Sequence, residues 1–294
     1  VRLVGLDRAV CSIASVGEAT FDDGRINVLH VPEARVLGAR PGRPDAETGR
    51  ATIQTLHRAV DAIQAGEADG LVTAPGSKEA MRASGLELGI GQTEILQRRS
   101  GVAHVVMGLR GGGLCATHLT THVALKDVIS QITPERIDTV LRLTYEGLCR
   151  MGIPEPRIAV AGINPHAGER GVLGSEEACL LLPAVERARA RGMNVVGPVP
   201  NETVWLLCRA GQVDAVVVAY HDAGHVPVRL AAGNAGVHFT LGLPFPRTAP
   251  LHGLALESAG TGKADSTGMV RAMIEAAEMA SAAIHFAWSP VFTV

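Results

Sequence analysis

YHDAGHVPVR, residues 220–229, is the stretch that indicates the fold of this chain most clearly. It follows VDAVVVA, residues 213–219, an apolar and largely β-branched run of the length of a buried strand. Gly224 permits a sharp bend, and Pro227 is expected to prevent a helix from beginning at once. Because ligands of open α/β sheets bind outside the carboxyl ends of the strands, His221 lies where a functional residue is expected.

Two other histidines occupy similar positions. His122 follows Thr120 and Thr121 after one apolar run, and His166 lies in NPHAGE, residues 164–169, after another. Neutral imidazole binds zinc, iron, cobalt and nickel, and a catalytic metal site keeps a position open beside three protein ligands. The three histidines therefore suggest a metal site, although a histidine after a strand is more often structural and this spacing matches no short zinc motif.

Three further features each have two interpretations. The glycine-containing loop 164–174 either binds a ligand or forms a tight turn with Glu169 as a capping acid. Arg247 is equally compatible with anion binding and with a solvated side chain. Gly111-Gly112-Gly113 could be mistaken for a phosphate-binding loop, but it lacks the order of such motifs and predicts a hairpin turn.

The composition excludes several classes of protein. The chain has 294 residues, 47% of them hydrophobic, so a large core and one or two domains are expected. A net charge of -2, 3% aromatic residues and the lack of a basic stripe argue against a nucleic-acid partner. No apolar run reaches the roughly 18–20 residues of a membrane span and no leader is visible, so no membrane partner is expected. Five scattered cysteines without a CxxC pair favour reduced thiols in a cytoplasmic protein.

Strands and helices alternate along most of the chain. The predicted elements that define this pattern are the strands 25–31, 69–75, 157–162, 214–219 and 237–241 and the helices 45–65, 133–151, 202–210 and 266–286. The alternation predicts an α/β fold. Because no repeat or low-complexity linker divides the sequence, two lobes interleaved along the chain are expected.

Four motifs resemble those of the 4-hydroxythreonine-4-phosphate dehydrogenase family. They are AGINPHAGE at 161–169, YHDAGH at 220–225, GLPFPRT at 242–248 and AGTGKAD at 259–265. Shorter matches are Thr73-Ala74-Pro75, Lys78, Thr93-Glu94 and Thr120-Thr121-His122. The resemblance covers roughly residues 45–285 in consistent order. The most similar subgroup acts on 4-phospho-D-threonate or 4-phospho-D-erythronate, although relatives that act on dihydrodiols also carry the histidine found here at position 225.

The resemblance implies two interleaved α/β lobes with a central cleft, similar to isocitrate and isopropylmalate dehydrogenases. An NAD-side lobe is expected at approximately 25–125 plus 240–294, and a dimerisation and metal-side lobe at approximately 126–239. The family forms homodimers that share their active sites, so a homodimer with metal ligands from both subunits is expected. The family's N-terminal strand and loop have no counterpart in this sequence, which begins at Val1, and truncation or disorder of that segment is expected more than a natural chain without its first strand.

The resemblance also implies a role for individual residues. The expected ligands of one divalent ion (zinc, magnesium, manganese or cobalt) are His122, His166 and His221. The expected substrate contacts are Gln92, Thr93, Arg229, His238 and Arg247. The expected contacts of the cofactor NAD, with NADP left open, are His252, Gly253, Ala255, Gly260 and Asp265. Arg229, Asp222 and His225 are expected to be catalytic. Asp222 and Glu202 are also candidates for orienting the metal histidines.

Three expected substrate contacts depart from the family pattern. Gln92 stands where the family usually has histidine, Arg229 where it has lysine, and His238 where it has asparagine. Arginine keeps the positive charge but is a poor proton donor. We therefore expect Arg229 to bind an anion and expect proton transfer by His225 or His238, because histidine titrates near neutrality. The cofactor-side motif also departs, with LHGLA at 251–255 in place of Asp-His-Gly-Thr-Ala.

The function that the resemblance implies is that of a metal-dependent NAD oxidoreductase. Its expected reaction is oxidation of the 3-hydroxyl group of 4-hydroxythreonine 4-phosphate, 4-phospho-D-threonate or 4-phospho-D-erythronate, followed by loss of CO₂ from the 3-keto product. One alternative is a dehydrogenase of the same family for an aromatic cis-dihydrodiol carboxylate. An alternative of another class is an inactive paralogue that binds a metal or ligand, and the presence of all three histidines argues against it.

Overall fold

A computed structural model describes the protein at residues 5–22, 24–86 and 91–285. This part of the chain combines parallel and antiparallel strands with helices, and the predicted α/β class is confirmed. Within these residues, every helix lacks either the length or the apolar character that crossing a bilayer requires.

The chain forms two compact units, each made of two separate segments. Unit 1 comprises Val1–Val102 with His252–Ser266, and unit 2 comprises Ala103–Leu251 with Thr267–Val294. The units are therefore interleaved in sequence. Their boundaries differ from the lobe boundaries expected near residues 125 and 240, and the division into an NAD side and a metal side remains a prediction.

Unit 1 contains short strands and one long helix. Its elements are β1 (Ala9–Ile13), β2 (Arg25–Leu29), α1 (Ala46–Gln64), β3 (Leu71–Val72), α2 (Lys78–Ala83) and α3 (Gln92–Arg99). β1 and β2 pair in parallel. At the start of α1 the Asp45 carboxylate accepts the backbone N–H of Thr48, and the Thr48 hydroxyl accepts that of Asp45. This cap confirms the predicted helix start, and Ile53, Leu56 and Val60 bury one face of the helix.

Unit 2 is organised around one sheet. Its strands are β4 (Val106–Gly111), β5 (Leu114–His118), β6 (Arg157–Ala161), β7 (Asn194–Val199), β8 (Ala215–Val218), β9 (Val237–Leu241) and β10 (Arg247–Pro250). They lie in the order β10-β9-β4-β5-β8-β6-β7. β5, β8, β6 and β7 are parallel neighbours, whereas β10, β9, β4 and β5 pair antiparallel. The carboxyl ends of β5, β8 and β6 therefore meet at one edge of the sheet.

Helices cover both faces of this sheet. They are α4 (Val128–Gln131), α5 (Pro134–Arg150), α6 (Leu182–Ala190), α7 (Asn201–Arg209), α8 (His221–Ala232) and α9 (Thr267–His285). Ala215 and Val217 pack in a core with α5 and α6, whereas Val216 and Val218 pack in a core with α7 and α8. Burial on both faces explains why β8 is continuously apolar in sequence. The sequence predicts that the last helix reaches Phe286, a residue that lies outside the described ranges.

The three consecutive glycines form the predicted hairpin turn. Gly111 pairs with Leu114 across β4 and β5. Gly112 and Gly113, at φ +60° and +77°, make the two-residue connection between these strands. A Cβ added at Gly112 would lie 2.4 Å from the carbonyl carbon of Ala231, so the turn also requires glycine for packing.

Candidate functional site

Three neighbouring parallel strands each lead to a histidine that the sequence predicts as a metal ligand. β5 is followed by His122, β8 by His221 and β6 by His166. Beyond β5, the backbone N–H of Leu119 donates to the carbonyl oxygen of Val218, the last residue of β8, at 2.9 Å, and that of Thr120 donates to the carbonyl oxygen of Ala219 at 3.1 Å. The strand ends thus deliver all three histidines to the same edge of the sheet, where ligands of α/β proteins bind.

The chain passes directly from β8 into a helix that begins at His221. α8 contains Pro227 in its interior, so the expectation that Pro227 prevents a helix from beginning at once is wrong. Gly224 does not form a bend either, because it packs against the sheet, and a Cβ there would lie 2.5 Å from Nε2 of His118. Pro227 removes one N–H from α8, and burial of the face that contains Gly224 and Val228 offsets that loss.

Four histidines cluster at this edge. His221 and His225, one turn apart on α8, stack with their ring centroids 3.7 Å apart. The centroid of His122 lies 5.6 Å from that of His221, and the centroid of His118 lies 5.6 Å from that of His225. The structure therefore brings together two predicted metal ligands and the predicted catalytic His225. It adds His118, whose one signal in the sequence was its position four residues before His122.

The two inner histidines of this cluster are neutral at pH 7. Burial lowers the pKa of His118 to about 3, and its Nδ1 lies 3.1 Å from the carbonyl oxygen of Met107. Burial, followed by the neighbouring His221, lowers the pKa of His225 to about 4. The expectation that His225 titrates near neutrality is therefore wrong, because packing against the other rings removes water from its charged form.

His166 lies in a left-handed turn after β6. His166, Ala167, Gly168, Glu169 and Arg170 all have positive φ, between 43° and 75°. This conformation costs roughly 1–2 kcal/mol for each residue that carries a Cβ, so surrounding contacts must hold it. The sequence left open a ligand-binding loop or a tight turn, and the backbone strain of this turn is of the kind that occurs at functional sites.

Carboxylates contact two of the predicted metal ligands. Nδ1 of His166 lies 2.8 Å from Oε1 of Glu202, and Nδ1 of His221 lies 2.7 Å from Oδ1 of Asp222. The backbone N–H of Glu202, and then His166, lower the pKa of the Glu202 carboxyl, which is therefore ionised at neutral pH. A carboxylate that accepts a hydrogen bond from Nδ1 leaves the Nε2 lone pair for a ligand, as in metal-binding histidines. These donors fit a divalent ion.

Within one chain the predicted ligands do not form a complete metal site. In the part of the chain that the structure describes, no three histidine, cysteine, aspartate or glutamate side chains are grouped so that they could hold an ion. His122 and His221 approach each other, but His166 does not complete a trio with them. A site completed by a second subunit, as the resemblance implies, remains a prediction.

Arg247 is a buried cation at the start of β10. The sequence did not predict this strand, because the proline-containing segment 242–246 directly before it favours a turn. Arg247 is only 3% exposed, so its interpretation as a solvated side chain is wrong. Its Nη1 donates to Nδ1 of His238 at 2.9 Å and to Oγ1 of Thr240 at 3.1 Å.

The bond from Arg247 fixes the tautomer of His238. A guanidinium group can only donate, so Nδ1 of His238 must accept and the ring proton lies on Nε2. Burial, and then the charge of Arg247, lower the pKa of His238 well below its usual value. The near-neutral titration expected of His238 is therefore wrong, and the ring instead presents a neutral N–H donor.

Arg229 lies on the same face of α8 as two histidines of the cluster. His221, His225 and Arg229 are spaced four residues apart, which places them along one side of a helix. The Arg229 side chain is exposed, and its Nη1 donates to the carbonyl oxygen of Leu251 at 2.9 Å. Its guanidinium group is thus available to solutes beside the histidines.

Gln92 and Thr93, the predicted substrate contacts of unit 1, begin α3. Before them, the backbone N–H of Gly91 donates to the Glu94 carboxylate at 2.9 Å. Nε2 of Gln92 donates to the carbonyl oxygen of Ala74 at 3.3 Å, which connects the start of α3 to the segment after β3. The first backbone N–H groups of a helix favour anions, in keeping with a predicted anionic substrate.

The predicted NAD segment is an exposed loop of unit 1. Nδ1 of His252 lies 2.9 Å from the carbonyl oxygen of Gly253. Ala255 and Gly260 have positive φ, at +46° and +76°, and Asp265 is exposed near the end of the loop. A Cβ added at Gly253 would meet open space, so the backbone there is accessible to a ligand. This accessibility fits a nucleotide-binding loop.

The protein resembles known dehydrogenases in sequence and in structure. The model of a family described as pyridoxal phosphate biosynthetic protein PdxA matches residues 5–277. A 4-hydroxythreonine-4-phosphate dehydrogenase of Beijerinckia indica subsp. indica is 41% identical over 266 residues, which cover 90% of this chain and 78% of the relative. A D-threonate 4-phosphate dehydrogenase of Salmonella typhimurium is 40% identical over 258 residues, which cover 88% of this chain and 79% of the relative.

A crystal structure of the 4-hydroxythreonine-4-phosphate dehydrogenase of Klebsiella pneumoniae superimposes with a TM-score of 0.85 and 37% sequence identity. The match covers 95% of this chain and 86% of that one. By their names, the relatives are dehydrogenases of phosphorylated hydroxy acids. The nearly equal identities to the two kinds of enzyme do not distinguish between their substrates.

Proposed function

Because the chain belongs to the PdxA family of pyridoxal phosphate biosynthetic proteins, we propose that it is a metal-dependent NAD oxidoreductase for phosphorylated four-carbon hydroxy acids. Its substrate is of the 4-hydroxythreonine 4-phosphate or 4-phospho-D-threonate and 4-phospho-D-erythronate type. The enzyme oxidises the 3-hydroxyl group, and the 3-keto acid then loses CO₂. The active assembly is a homodimer in which a second subunit completes each metal site.

One observation supports this proposal most strongly. His166 and His221 follow neighbouring parallel strands, and each has its Nδ1 engaged by a carboxylate, from Glu202 and Asp222. The pairing prepares both Nε2 atoms to act as donors to a divalent cation. His122, close to His221, supplies a third imidazole at the same sheet edge.

The bound groups would supply the chemistry that side chains lack. When bound, the divalent ion would supply Lewis acidity toward the substrate hydroxyl group, and NAD would supply a hydride acceptor. His122, His166 and His221 would hold the ion. Residues 252–265, with His252, Gly253 and Ala255 at their start, would hold NAD.

The cationic side chains bind and orient the anionic substrate. Arg229 places a planar donor fork on the histidine face of α8, a geometry that suits carboxylate or phosphate. Arg247 is held by His238 and Thr240 and provides a positive charge at low exposure. Nε2–H of His238 donates a hydrogen bond, as the amide of the asparagine usual in the family can.

A substrate panel tests the proposed function. Chelator-treated protein is incubated with NAD or NADP, with each candidate metal, and with the phosphorylated substrates or a cis-dihydrodiol carboxylate, while NADH absorbance and released CO₂ are measured. We expect NADH and CO₂ in equal amounts with a phosphorylated substrate, and only after metal is added. Turnover of the dihydrodiol alone would support the alternative substrate, and the lack of NADH formation under every condition would support an inactive paralogue.

A further inference from the structure

Glu177 is a buried carboxylate close to the loop that contains His166. It is only 5% exposed, although glutamate is rarely buried without compensating contacts. It begins a π-helical turn, Glu177–Leu181, that leads into α6. Turns of this kind frequently occur at functional sites. No sequence pattern indicates this role, because a glutamate is normally solvated.

The Glu177 carboxylate accepts hydrogen bonds from the segment between β6 and the left-handed turn. Its Oε1 lies 2.8 Å from the backbone N of Ile163 and 2.6 Å from that of Asn164. Its Oε2 accepts from Nδ2 of Asn164 at 3.0 Å. Hydrogen bonds to an ionised acceptor are stronger than neutral ones. These three bonds fix the direction in which the chain approaches His166.

The same carboxylate lies against the middle of the left-handed turn. A Cβ added at Gly168 would lie 2.6 Å from Oε2 of Glu177, so a side chain at this position would displace the carboxylate. Glu177 therefore contacts the residues before His166 and lies close to a residue after it. One side chain thus bonds to the chain before His166 and packs close to the backbone after it.

We propose that Glu177 is the positioning residue for His166. Glu177 fixes the backbone from which the His166 side chain projects, and Glu202 then fixes the rotation of the imidazole ring. Both are needed to place Nε2 where it can donate to a cation. The proposal rests on the proposed function, which gives His166 its role as a metal ligand.

Glu177→Gln tests the proposal, with Glu176→Gln as the matched control. Glu176 also accepts from Nδ2 of Asn164, at 2.7 Å, but it is only half-buried, and among the described residues the backbone N–H groups of Ile163 and Asn164 donate to Glu177 and not to Glu176. Amide hydrogen exchange of metal-free protein is measured across residues 163–173, together with Co²⁺ affinity. In Glu177→Gln we expect exchange faster by about 10-fold or more, since bonds to a charged group are lost. We expect Co²⁺ to bind roughly 10–100-fold more weakly, as after the loss of an orienting partner.

The two measurements separate failure of this proposal from failure of the proposed function. Unchanged exchange and unchanged Co²⁺ affinity in Glu177→Gln would overturn the positioning role, as would an equal effect of Glu176→Gln. A wild-type protein that binds no Co²⁺ would contradict the metal-dependent function. The difference in amide hydrogen exchange between Glu177→Gln and Glu176→Gln would still test whether Glu177 stabilises the backbone of residues 163–173. If Glu177→Gln does not fold, Glu177→Asp replaces it, because aspartate keeps the charge and withdraws the carboxylate by one methylene.

Discussion

The segments after β8 and after β6 present a histidine at the same sheet edge with opposite backbone geometry. After β8 the chain enters a right-handed helix, and His221 pairs with its sequence neighbour Asp222. After β6 the chain enters a left-handed turn, and His166 pairs with Glu202, 36 residues further along the chain. Both arrangements use a carboxylate to hold Nδ1 of the ring.

The difference between these segments shows how the same side-chain geometry can depend on local or on distant contacts. In α8 the backbone conformation is one that any L-residue adopts, and the partner of His221 is adjacent in sequence. In the turn after β6, four residues with a Cβ adopt a conformation that is unfavourable alone. That turn must therefore be stabilised from elsewhere, and substitutions at a distance should affect His166 more than His221.

The largest expected effect concerns Arg229, which extends the functional face of α8. Arg229→Ala should raise the Michaelis constant strongly, because a hydrogen bond between charged groups, worth roughly 1.5–3 kcal/mol, is lost. Arg229→Lys should retain most activity, since the positive charge remains. Steady-state kinetics of both variants measure this. Normal substrate affinity in Arg229→Ala, with only the chemical step slowed, would show that Arg229 does not act by anion binding.

The next largest effect concerns His118, the buried histidine against which α8 packs, and the pH dependence of the free energy of unfolding. Because burial lowers the pKa of His118 from 6.5 to about 3, the unfolded chain takes up this proton more readily than the folded chain. The contribution of the neutral His118 ring to the free energy of unfolding is complete above pH 6.5. It is lost as the pH falls from there toward the pKa of His118 in the folded state. Between pH 6.5 and 4 the free energy of unfolding should fall by roughly 3 kcal/mol on this account.

His118→Asn is the matched control for the pH effect. Asparagine keeps an N–H donor for the carbonyl oxygen of Met107 but does not titrate in this range. Urea unfolding of chelator-treated protein should therefore show a smaller loss of stability between pH 6.5 and 4 in the variant. Equal slopes in both proteins would mean that His118 is not held neutral in the fold.

A smaller effect compares the two carboxylate partners. Glu202→Gln and Asp222→Asn should each weaken Co²⁺ binding by roughly 10–100-fold, because each imidazole loses the acceptor that orients it. Isothermal titration of Co²⁺ into the two variants measures these losses. In a His166→Ala background, Glu202→Gln should have little further effect. If its full effect persists there, Glu202 acts through a group other than His166.

The smallest effect is the sharpest test of the backbone comparison. Ala167 lies in the left-handed turn and Ala223 in α8, and both side chains are half-buried. Ala223→Gly should lower the free energy of unfolding by roughly 0.5–1 kcal/mol. Ala167→Gly should raise it by about 0.5 kcal/mol, because relief of left-handed strain exceeds the greater entropy of the unfolded chain. Changes of the same sign in urea unfolding would contradict the described handedness of one segment.

Local features of the site could be predicted from sequence patterns, whereas distant contacts either needed the family resemblance or were missed. The apolar run before His221 and the adjacent Asp222 are local patterns with direct structural meaning. Glu202 could be named as an orienting candidate only alongside the family resemblance, because its pairing with His166 depends on how the segments after β6 and β7 meet, which no local pattern records. The neutral state of His225 follows from packing, so its isolated titration range was misleading.

Proline gave one error in secondary structure, because Pro227 lies inside α8. There the local preference of proline is weaker than the burial of neighbouring side chains such as Val228. Pro244 and Pro246, by contrast, lie in the turn that proline favours, and β10 begins directly after them. Sequence-based prediction of these elements would require knowledge of what packs against them.

The most direct test is titration of Co²⁺ into chelator-treated wild-type protein and into His122→Ala, His166→Ala and His221→Ala. We expect the wild type to bind one ion per chain. We expect the Co²⁺ affinity of each variant to fall by more than the roughly 10–100-fold typical of losing an orienting partner, because each change removes a ligand itself. Wild-type affinity in any of the three variants would contradict the claim that these strand-end histidines together hold the catalytic metal.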